Sequence, residues 1–475
     1  MKVVLIQQWL LREFMEAPVS LAYIAAYLDK MGIDVSLADL QIKKRLTTEE
    51  DIAEVINNLK PDVVGLTCMT SEVNKIKEMA KKIKKINKNI KIVVGGVHAT
   101  IMPETIINEP FIDYVVIGEG ELVFYNLIKS LETNKSTHDI KGIGYKSNGK
   151  IIINPREKRI KDIEALPYPY KFYDVMFYAN MYKNNETYRY PIAAMFSSRG
   201  CPFNCGFCSV KVVWQQIVSF KSPEKLVDEI EYVLNNYDVK GIIFNDSIFG
   251  INKDWLRNVC KEITNRKLKF RWYANCRVDL VDIDTLKLMK RAGCEIISFG
   301  MESGSQRILD YYNKGTTVEQ NIKAAELCNS AGIRAVAQMI IGAPIETKED
   351  IKANIKFIDN VAKNIESIYW NILIPYPGTK TYDDLKKMGY LKNVKWDDFV
   401  YDKALFPLKD MSREELNGLA IKLGTLSAAK RNLKQKKFIP RILNRFIKNG
   451  PIENTRHLIK KAKAYLQELK WAKEF

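Results

Sequence analysis

Short β-branched runs alternate with amphipathic stretches through residues 1 to about 135, a pattern typical of a doubly wound, Rossmann-like parallel sheet. Helices are predicted between the runs, for example at 20–30, which stops at Gly32, and at 71–86. Ligands of such a sheet bind in a crevice beyond the carboxyl ends of its strands. The predicted strands are 2–6, 34–38, 63–67, 92–94 and 114–117.

A second series of strands and helices covers residues 191 to about 385 and repeats the alternation six times. Six βα units favour a partial (β/α)6 barrel, open on one side, over the closed eightfold form. The chemistry of parallel barrels gathers where the strands end. The predicted strands are 193–197, 241–245, 271–275, 295–300, 334–341 and 367–374.

Residues 136–190 are predicted to link these two α/β domains, 1–135 and 191–385. A hairpin is expected over 142–155 with Asn148-Gly149 as its turn. The prolines at 167 and 169 then favour an extended crossing. Residues 386–475 are expected to form a basic helical C-terminal region.

The charge of the chain is uneven. Its net charge is +18, and residues 411–475 hold 16 Lys and Arg against 5 Asp and Glu. Such a tail fits either an anionic surface, a membrane for example, or a solvated helical face, and the lysine runs favour the solvated face. Peripheral membrane contact through the tail stays open as an expectation, whereas nucleic-acid binding is not expected.

The cysteine count and the absence of long apolar runs indicate a cytoplasmic protein. Eight cysteines in 475 residues are not a disulfide framework. No apolar stretch approaches the length of a membrane span, and the first residues read as a strand, not as a signal peptide. Five cysteines are scattered singly, as buried residues of a reduced protein would be: Cys68, Cys260, Cys276, Cys294 and Cys328.

The other three cysteines, Cys201, Cys205 and Cys208, stand within eight residues. Three soft thiolates can hold three irons of a [4Fe-4S] cube, and the missing fourth cysteine leaves one iron open to a small molecule. A structural zinc site is the alternative, but it needs a fourth ligand nearby. The spacing therefore favours a cluster that binds and reduces a ligand.

The CxxxCxxC motif, together with Gly200, Pro202 and Phe207, resembles the radical S-adenosylmethionine (SAM) superfamily. The resemblance implies that SAM chelates the open iron and that its reductive cleavage yields a 5′-deoxyadenosyl radical. It also implies an electron donor such as flavodoxin or ferredoxin, and it gives Phe207 a place over the adenine.

Residues after the later barrel strands match SAM contacts of the same superfamily. Asp246 would accept from the SAM amino group, or else cap the next helix. Arg277 would bind the SAM carboxylate, or else bridge to Asp279. Glu302, with Ser303 beside it, matches the motif that binds the ribose hydroxyls.

Two further loops extend this resemblance towards the adenine and the substrate. Gly342 lies in an apolar run that would pack against adenine, although a buried strand has the same pattern. Tyr376, in the rigid run Pro375-Tyr376-Pro377, would form a wall of the substrate pocket.

Loops at the strand ends of residues 1–135 resemble the B12-binding domain that precedes the barrel in one radical SAM subclass. No DxHxxG loop is present, so the resemblance implies that any bound cobalamin lacks a histidine below cobalt. His98 would either touch side chains of the cofactor or serve as a hydrogen bonder within its loop. The implied cobalamin residues are Thr67, Thr70, Gly95, Gly96, His98, Gly118 and Glu119.

The resemblance covers residues 1 to about 385 and extends into 437–443. It implies a cobalamin-dependent radical SAM methyltransferase that acts on an unactivated carbon of a small or lipid-like metabolite. Cyclisation or rearrangement, and a radical enzyme without cobalamin, remain alternatives. A non-enzymatic cobalamin or iron-sulfur carrier predicts no SAM cleavage. A tRNA methylthiotransferase needs three more N-terminal cysteines, whereas residues 1–150 contain only Cys68.

Overall fold

The computed structural model describes residues 1–9, 16–183, 188–401, 403–435 and 463–472. These residues form a seven-stranded sheet, a six-stranded sheet and a two-stranded ladder. The α/β class predicted from the sequence is therefore confirmed.

The seven-stranded sheet has the order β2-β1-β3-β4-β5-β6-β7. Its first five strands run parallel and confirm the five predicted ones. The predicted hairpin forms β6 and β7, and β6 pairs antiparallel with β5. The hairpin thus extends this sheet, an attachment that the sequence did not predict. The strands are β1 (Lys2–Gln7), β2 (Asp34–Asp39), β3 (Val63–Thr67), β4 (Lys91–Gly95), β5 (Tyr114–Val116), β6 (Ile143–Ser147) and β7 (Lys150–Ile153).

Helices cover both faces of this sheet, and one more helix, α7, lies within the connector of residues 136–190. Buried aliphatic side chains fill the space on each face. The helices are α1 (Val19–Lys30), α2 (Glu49–Leu59), α3 (Val73–Ile86), α4 (Val97–Ile101), α5 (Pro103–Ile107), α6 (Gly120–Glu132) and α7 (Val175–Lys183).

The six-stranded sheet has the order β8-β11-β12-β13-β14-β15, with every pairing parallel. Its linear order leaves β8 and β15 unpaired with each other, as the prediction of an open, partial barrel required. The remaining strands are β8 (Ile192–Met195), β9 (Ser198–Arg199), β10 (Ser219–Phe220), β11 (Gly241–Phe244), β12 (Arg271–Cys276), β13 (Cys294–Glu302), β14 (Arg334–Ile341) and β15 (Ser367–Ile372).

Buried aromatic rings support the strand ends of this barrel. The Phe244 and Phe249 rings stack at 4.8 Å, and Phe249 lies 5.4 Å from Trp272. Such close packing fixes the backbone after β11 and β12, where predicted SAM contacts follow. The barrel helices are α8 (Val210–Trp214), α9 (Pro223–Asn236), α10 (Lys253–Asn265), α11 (Ile283–Arg291), α12 (Gln306–Tyr311), α13 (Val318–Ala331), α14 (Lys348–Val361) and α15 (Lys380–Lys387).

The last long helix, α16 (Arg413–Lys434), covers β15 at the open side of the barrel. A capping box at Ser412 begins it, and Trp370 Nε1 donates to Ser427 Oγ at 2.9 Å. The similarity noted for residues 437–443 lies outside the described residues. None of the described helices combines the length and hydropathy that a bilayer span requires.

Candidate active site

The three clustered cysteines lie on a loop that follows the carboxyl end of β8. This cluster loop, residues 200–218, leaves β9 and returns through β10, and Arg199 pairs with Ser219 across its neck. Gly200 closes the neck at φ +100°, where a Cβ would overlap the Ile217 carbonyl oxygen. Only glycine fits this position without strain, so Cys201 follows a glycine for a steric reason.

Two backbone hydrogen bonds fix the middle of the cluster loop. Gly206 N donates to the Tyr312 carbonyl at 2.6 Å, and Thr381 N donates to the Gly206 carbonyl at 3.1 Å. The Phe207 ring meets the Tyr312 ring edge-on at a centroid distance of 5.0 Å. The cysteine run is therefore held against the segments that follow α12 and begin α15.

The chemistry of the three cysteines fits a cluster. All three thiols are free of disulfides, and Cys205 is buried. Burial raises the pKa of the Cys208 thiol to about 11. Thiolates there consequently need a neighbouring positive charge, which bound iron supplies.

The described residues provide no set of ligands for the alternative, a structural zinc ion. Within the described ranges, no three His, Cys, Asp or Glu side chains converge as closely as one metal ion requires. Each cysteine of an iron-sulfur cube binds a different iron, so its ligands stand farther apart than those of a single ion. The three cysteines therefore fit a cube better than zinc.

Arg277 carries a donor that the protein leaves unused. Its Nε and Nη2 donate to the Asp279 carboxylate, both at 3.0 Å, and its guanidinium lies 3.7 Å from the Phe203 ring centroid. The buried Nη1 has no partner among the described residues. Asp279 thus orients the guanidinium, and Nη1 stays available to a carboxylate of a ligand.

Glu302 is held by a lysine that the sequence analysis missed. Lys314 Nζ donates to Glu302 Oε1 at 2.7 Å, and both side chains are buried. Glu302 has φ +62°, an uncommon backbone conformation that concentrates at functional sites. Burial raises the pKa of the Cys201 thiol, and the cations of Arg277 and Lys314 oppose that shift. No sequence motif marks Lys314, since only the fold brings it to Glu302.

Two predicted SAM contacts are occupied by the protein itself. Asp246 accepts from Ser197 N at 2.8 Å, from Ser197 Oγ and from Ser198 Oγ at 2.7 Å. Burial raises the pKa of this carboxyl to about 6. Ser303 is fully buried and bonds to Asn354 Oδ1 at 3.3 Å. Asp246 therefore ties the end of β11 to the end of β8, and Ser303 ties β13 to α14.

The loop after β14 is held by a buried carboxylate. Glu346 Oε2 accepts from Ala343 N at 3.1 Å and from Gly342 N, where φ is +94°. Burial raises the pKa of Glu346 to about 7. Tyr376 packs partly buried against the C-terminal core, and its carbonyl accepts from Thr379 Oγ1 at 2.6 Å. Both loops are thus shaped by local bonds at the strand ends.

A cavity of about 260 Å³ lies where the first sheet meets the barrel. Its walls are mostly apolar, and five of the predicted cobalamin residues line it. From the barrel side, Phe196, Arg199, Gly200 and Ser247 complete the walls. The cavity thus joins the strand ends of the seven-stranded sheet, β1 to β7, to the neck of the cluster loop. We call this sheet the B12-like sheet. The five predicted residues are Thr67, Gly95, Gly96, Gly118 and Glu119.

His98 and Thr70 do not line this cavity. His98 is fully buried, its ring nitrogens bond to Thr70 Oγ1 at 3.2 Å and Thr105 Oγ1 at 2.9 Å, and its ring lies 4.8 Å from that of Trp396. Burial lowers the pKa of His98 to about 4. These bonds agree with the expected role of His98 as a hydrogen bonder within its loop.

Comparison with known proteins agrees with this geometry. The B12 binding domain model matches residues 12–128 and the Radical SAM superfamily model matches residues 195–358. An uncharacterized methyltransferase of Pyrococcus horikoshii is 34% identical over 85% of this chain and 85% of its own. The anaerobic magnesium-protoporphyrin IX monomethyl ester cyclase of Rubrivivax gelatinosus is 32% identical over 78% of this chain and 66% of its own.

One solved structure supports the fold. The radical SAM methyltransferase TsrM from Kitasatospora setae, with cobalamin and a [4Fe-4S] cluster bound, superimposes with a TM-score of 0.71. The match covers 83% of this chain and 80% of that one at 18% sequence identity. Both sheets therefore belong to one known architecture.

Proposed function

Since the chain belongs to the radical SAM enzymes that carry a B12-binding domain, we propose that it is a cobalamin-dependent methyltransferase that acts on an unactivated carbon of a small or lipid-like metabolite. One observation carries this proposal. A single cavity is lined both by strand-end loops of the B12-like sheet and by the neck of the cluster loop. A corrinoid held in this cavity would lie beside the loop that carries the cluster cysteines, so the two cofactors would serve one reaction.

When bound, the cluster supplies the electron that cleaves SAM, and the corrinoid supplies a transferable methyl group. Cys201, Cys205 and Cys208 would hold the cluster. The unused Arg277 Nη1 would bind the SAM carboxylate, because a buried guanidinium donor without a partner is otherwise unfavourable. Glu302 would bind the ribose through Oε2, since Lys314 occupies Oε1.

The remaining residues would shape the space around the cofactors. Glu346 would hold the Gly342 loop against the adenine, and Phe207 would cover it. Asp246 would act through Ser197 and Ser198 and not on SAM directly. Thr67, Gly95, Gly96 and Gly118 would receive the corrinoid, because glycine lets the backbone approach a bulky ligand.

Methylation and cyclisation are distinguished by the fate of the SAM methyl group. The methyltransferase relative favours methylation, and the cyclase relative keeps ring closure as the second candidate. Anaerobic protein reconstituted with iron, sulfide and hydroxocobalamin would be incubated with reductant and methyl-labelled SAM. We expect bound corrinoid, 5′-deoxyadenosine and label on the corrinoid. Formation of 5′-deoxyadenosine without labelled corrinoid would support the second candidate, and no corrinoid uptake would contradict a cobalamin enzyme.

A further inference from the structure

Five charged residues join the connector, the B12-like sheet and the cluster loop. We call Arg156, Arg159, Arg199, Glu119 and Glu121 the arginine clasp. Glu119 follows β5, and Glu121 lies in the first turn of α6, so both carboxylates come from the sheet domain. None of the three arginines was marked by sequence reasoning, because their partners are distant in the chain.

Arg159 is the centre of the clasp. Its Nε donates to Glu119 Oε2 at 2.9 Å, and its Nη1 donates to the carbonyls of Trp214 at 3.0 Å and Ile217 at 2.7 Å. Its guanidinium also lies 4.6 Å from the centroid of a Trp214 ring. One buried side chain therefore contacts both the loop after β5, through Glu119, and residues 210–217 of the cluster loop, which we call its returning arm.

The other two arginines complete the connection. Arg199, at the neck, donates to Glu119 Oε1 at 3.1 Å and to Glu121 Oε1 at 2.7 Å. Arg156 donates to the carbonyls of Val212, at 2.8 Å, and Val213. Both sides of the cluster loop are thus fixed to the sheet domain by charged hydrogen bonds, which are the strong class.

The returning arm depends on these donors. Helix α8 ends at Trp214, and Gln215 and Gln216 follow with φ +52° and +56°, so no further helical turn donates to its last carbonyls, although Ile217 N donates to the Trp214 carbonyl at 3.1 Å. The arginines supply further donors, to the carbonyls of Val212, Val213, Trp214 and Ile217. Without them, the carbonyls of Val212, Val213 and Ile217 would lose these charged donors, and the arm would be held less firmly.

The clasp also borders the cavity. Glu119, Glu121, Arg199 and Trp214 line it, whereas Arg159 stands behind them and is not part of its wall. A ligand that fills the cavity contacts three groups tied directly to Arg159: Glu119 bonds to it, Trp214 stacks on it, and Arg199 shares the Glu119 carboxylate with it. Arg159 Nη2 is buried with no partner in the described part of the chain, so the guanidinium is not locked on every side.

From this placement we propose that Arg159 is a positioning residue that couples corrinoid occupancy of the cavity to the conformation of the cluster loop. The proposal rests on the proposed function, because it takes the corrinoid as the occupant. By thermodynamic linkage the coupling is reciprocal. If corrinoid binding stabilises the ordered cluster loop, the ordered loop increases corrinoid affinity by the same free energy.

The test uses full-length apoprotein without cluster or SAM, and hydroxocobalamin as the probe. Hydrogen exchange of peptides from 200–217 and the corrinoid dissociation constant are measured together. In wild type, we expect the corrinoid to slow exchange in this loop. Arg159→Lys keeps the positive charge but loses the planar, forked guanidinium. We therefore expect corrinoid binding to be weaker by at least about fivefold, the lower end of typical couplings. We also expect that the corrinoid no longer slows hydrogen exchange in peptides from 210–217.

Arg266→Lys is the matched control. Arg266 bonds to Asp228, Glu231 and Glu262 on the outer helices of the barrel, away from the cluster loop. We expect wild-type behaviour from it. Hydrogen exchange in β13 reports whether each variant folds. If β13 is not protected in Arg159→Lys, the loop exchange and the corrinoid dissociation constant are measured on Arg199→Lys instead.

The outcomes separate the two levels of inference. If wild type binds hydroxocobalamin but exchange in 200–217 does not change, or if the folded clasp variant binds it with wild-type affinity, the coupling is wrong and the proposed function stands. If wild type takes up no hydroxocobalamin, the cobalamin assignment fails, and the coupling fails with it.

Discussion

The two sheets present their strand ends to ligands in different ways. At the barrel, Arg277 has a buried donor with no partner among the described residues, and Lys314 bonds to one of the two carboxylate oxygens of Glu302, Oε1. At the B12-like sheet, the polar candidates His98 and Glu119 are already bonded to the protein, and the cavity wall is mostly glycine and apolar side chains. We therefore expect the barrel site to recognise its ligand by charge and the site at the B12-like sheet to recognise its ligand by shape.

The largest effect is expected from the cluster loop. Cys205→Ala removes one of three thiolates, so we expect loss of iron incorporation and of 5′-deoxyadenosine formation, with corrinoid uptake largely retained. Iron analysis, an assay for 5′-deoxyadenosine and optical spectra of the anaerobic protein measure these three quantities.

Cys260→Ala is the control for this change, because Cys260 is also buried but lies on α10. It should retain iron. Loss of iron and corrinoid together in Cys205→Ala would indicate misfolding and remove the contrast between the two sites.

A site that recognises its ligand by shape should lose affinity when a single methyl group is added to a lining residue. Gly96 has φ +98°, and a Cβ there would lie 2.8 Å from Cys68 N. We expect Gly96→Ala to weaken corrinoid binding by more than tenfold while the cluster still assembles. Equilibrium titration with hydroxocobalamin gives the affinity.

Gly149→Ala separates backbone strain from shape. Gly149 has φ +75° in the hairpin turn with nothing within 4 Å of its Cβ position, so the change costs about 1–2 kcal/mol of local strain and fills no cavity. Equal corrinoid affinity in the two alanine variants would contradict recognition by shape.

A site that recognises its ligand by charge should depend on the planar, bidentate geometry of the arginine guanidinium. Arg277→Lys keeps one positive charge but loses the bidentate bond to Asp279 and the stacking on Phe203. We expect SAM binding to weaken roughly 10- to 100-fold, as for loss of about 1.5–3 kcal/mol of charged hydrogen bonding. Corrinoid binding should stay unchanged. Arg257→Lys, at a surface ion pair, is the control, and an unchanged SAM affinity in Arg277→Lys would remove Arg277 from the site.

The sequence predicted the elements better than it predicted the contacts between them. The parallel strands and the glycine loops follow from periodicity and strand-end position, and they stand where expected. Lys314, Arg159 and Arg199 were missed, because their roles arise from pairings across 12 to 80 residues that no local pattern encodes. His98 was marked by its motif, yet burial made it structural.

A dependence on pH also separates the two sheets. His98 has its pKa lowered from 6.5 to about 4, so the unfolded state binds the extra proton, and the stability of its sheet falls as pH drops from about 6.5 to about 4, by about 3 kcal/mol at most. Asp246 has its pKa raised to about 6, so its protonation stabilises the barrel end over the same interval.

Peptide hydrogen exchange at pH 7 and pH 5, corrected for intrinsic rates, measures this opposition. Acid should loosen β4 and α4 relative to β8 and β11, and His98→Gln should remove the loosening. A parallel response of both sheets in wild type would show that these two groups do not control it.

The central claim is that one cavity brings the corrinoid and the cluster loop into one active site. Electron paramagnetic resonance of anaerobic protein carrying both the reduced cluster and cob(II)alamin tests it most directly. The account predicts magnetic coupling, seen as broadened or faster-relaxing signals that are absent when either cofactor is omitted. Two signals that merely add, each identical to its singly loaded control, would contradict a shared site.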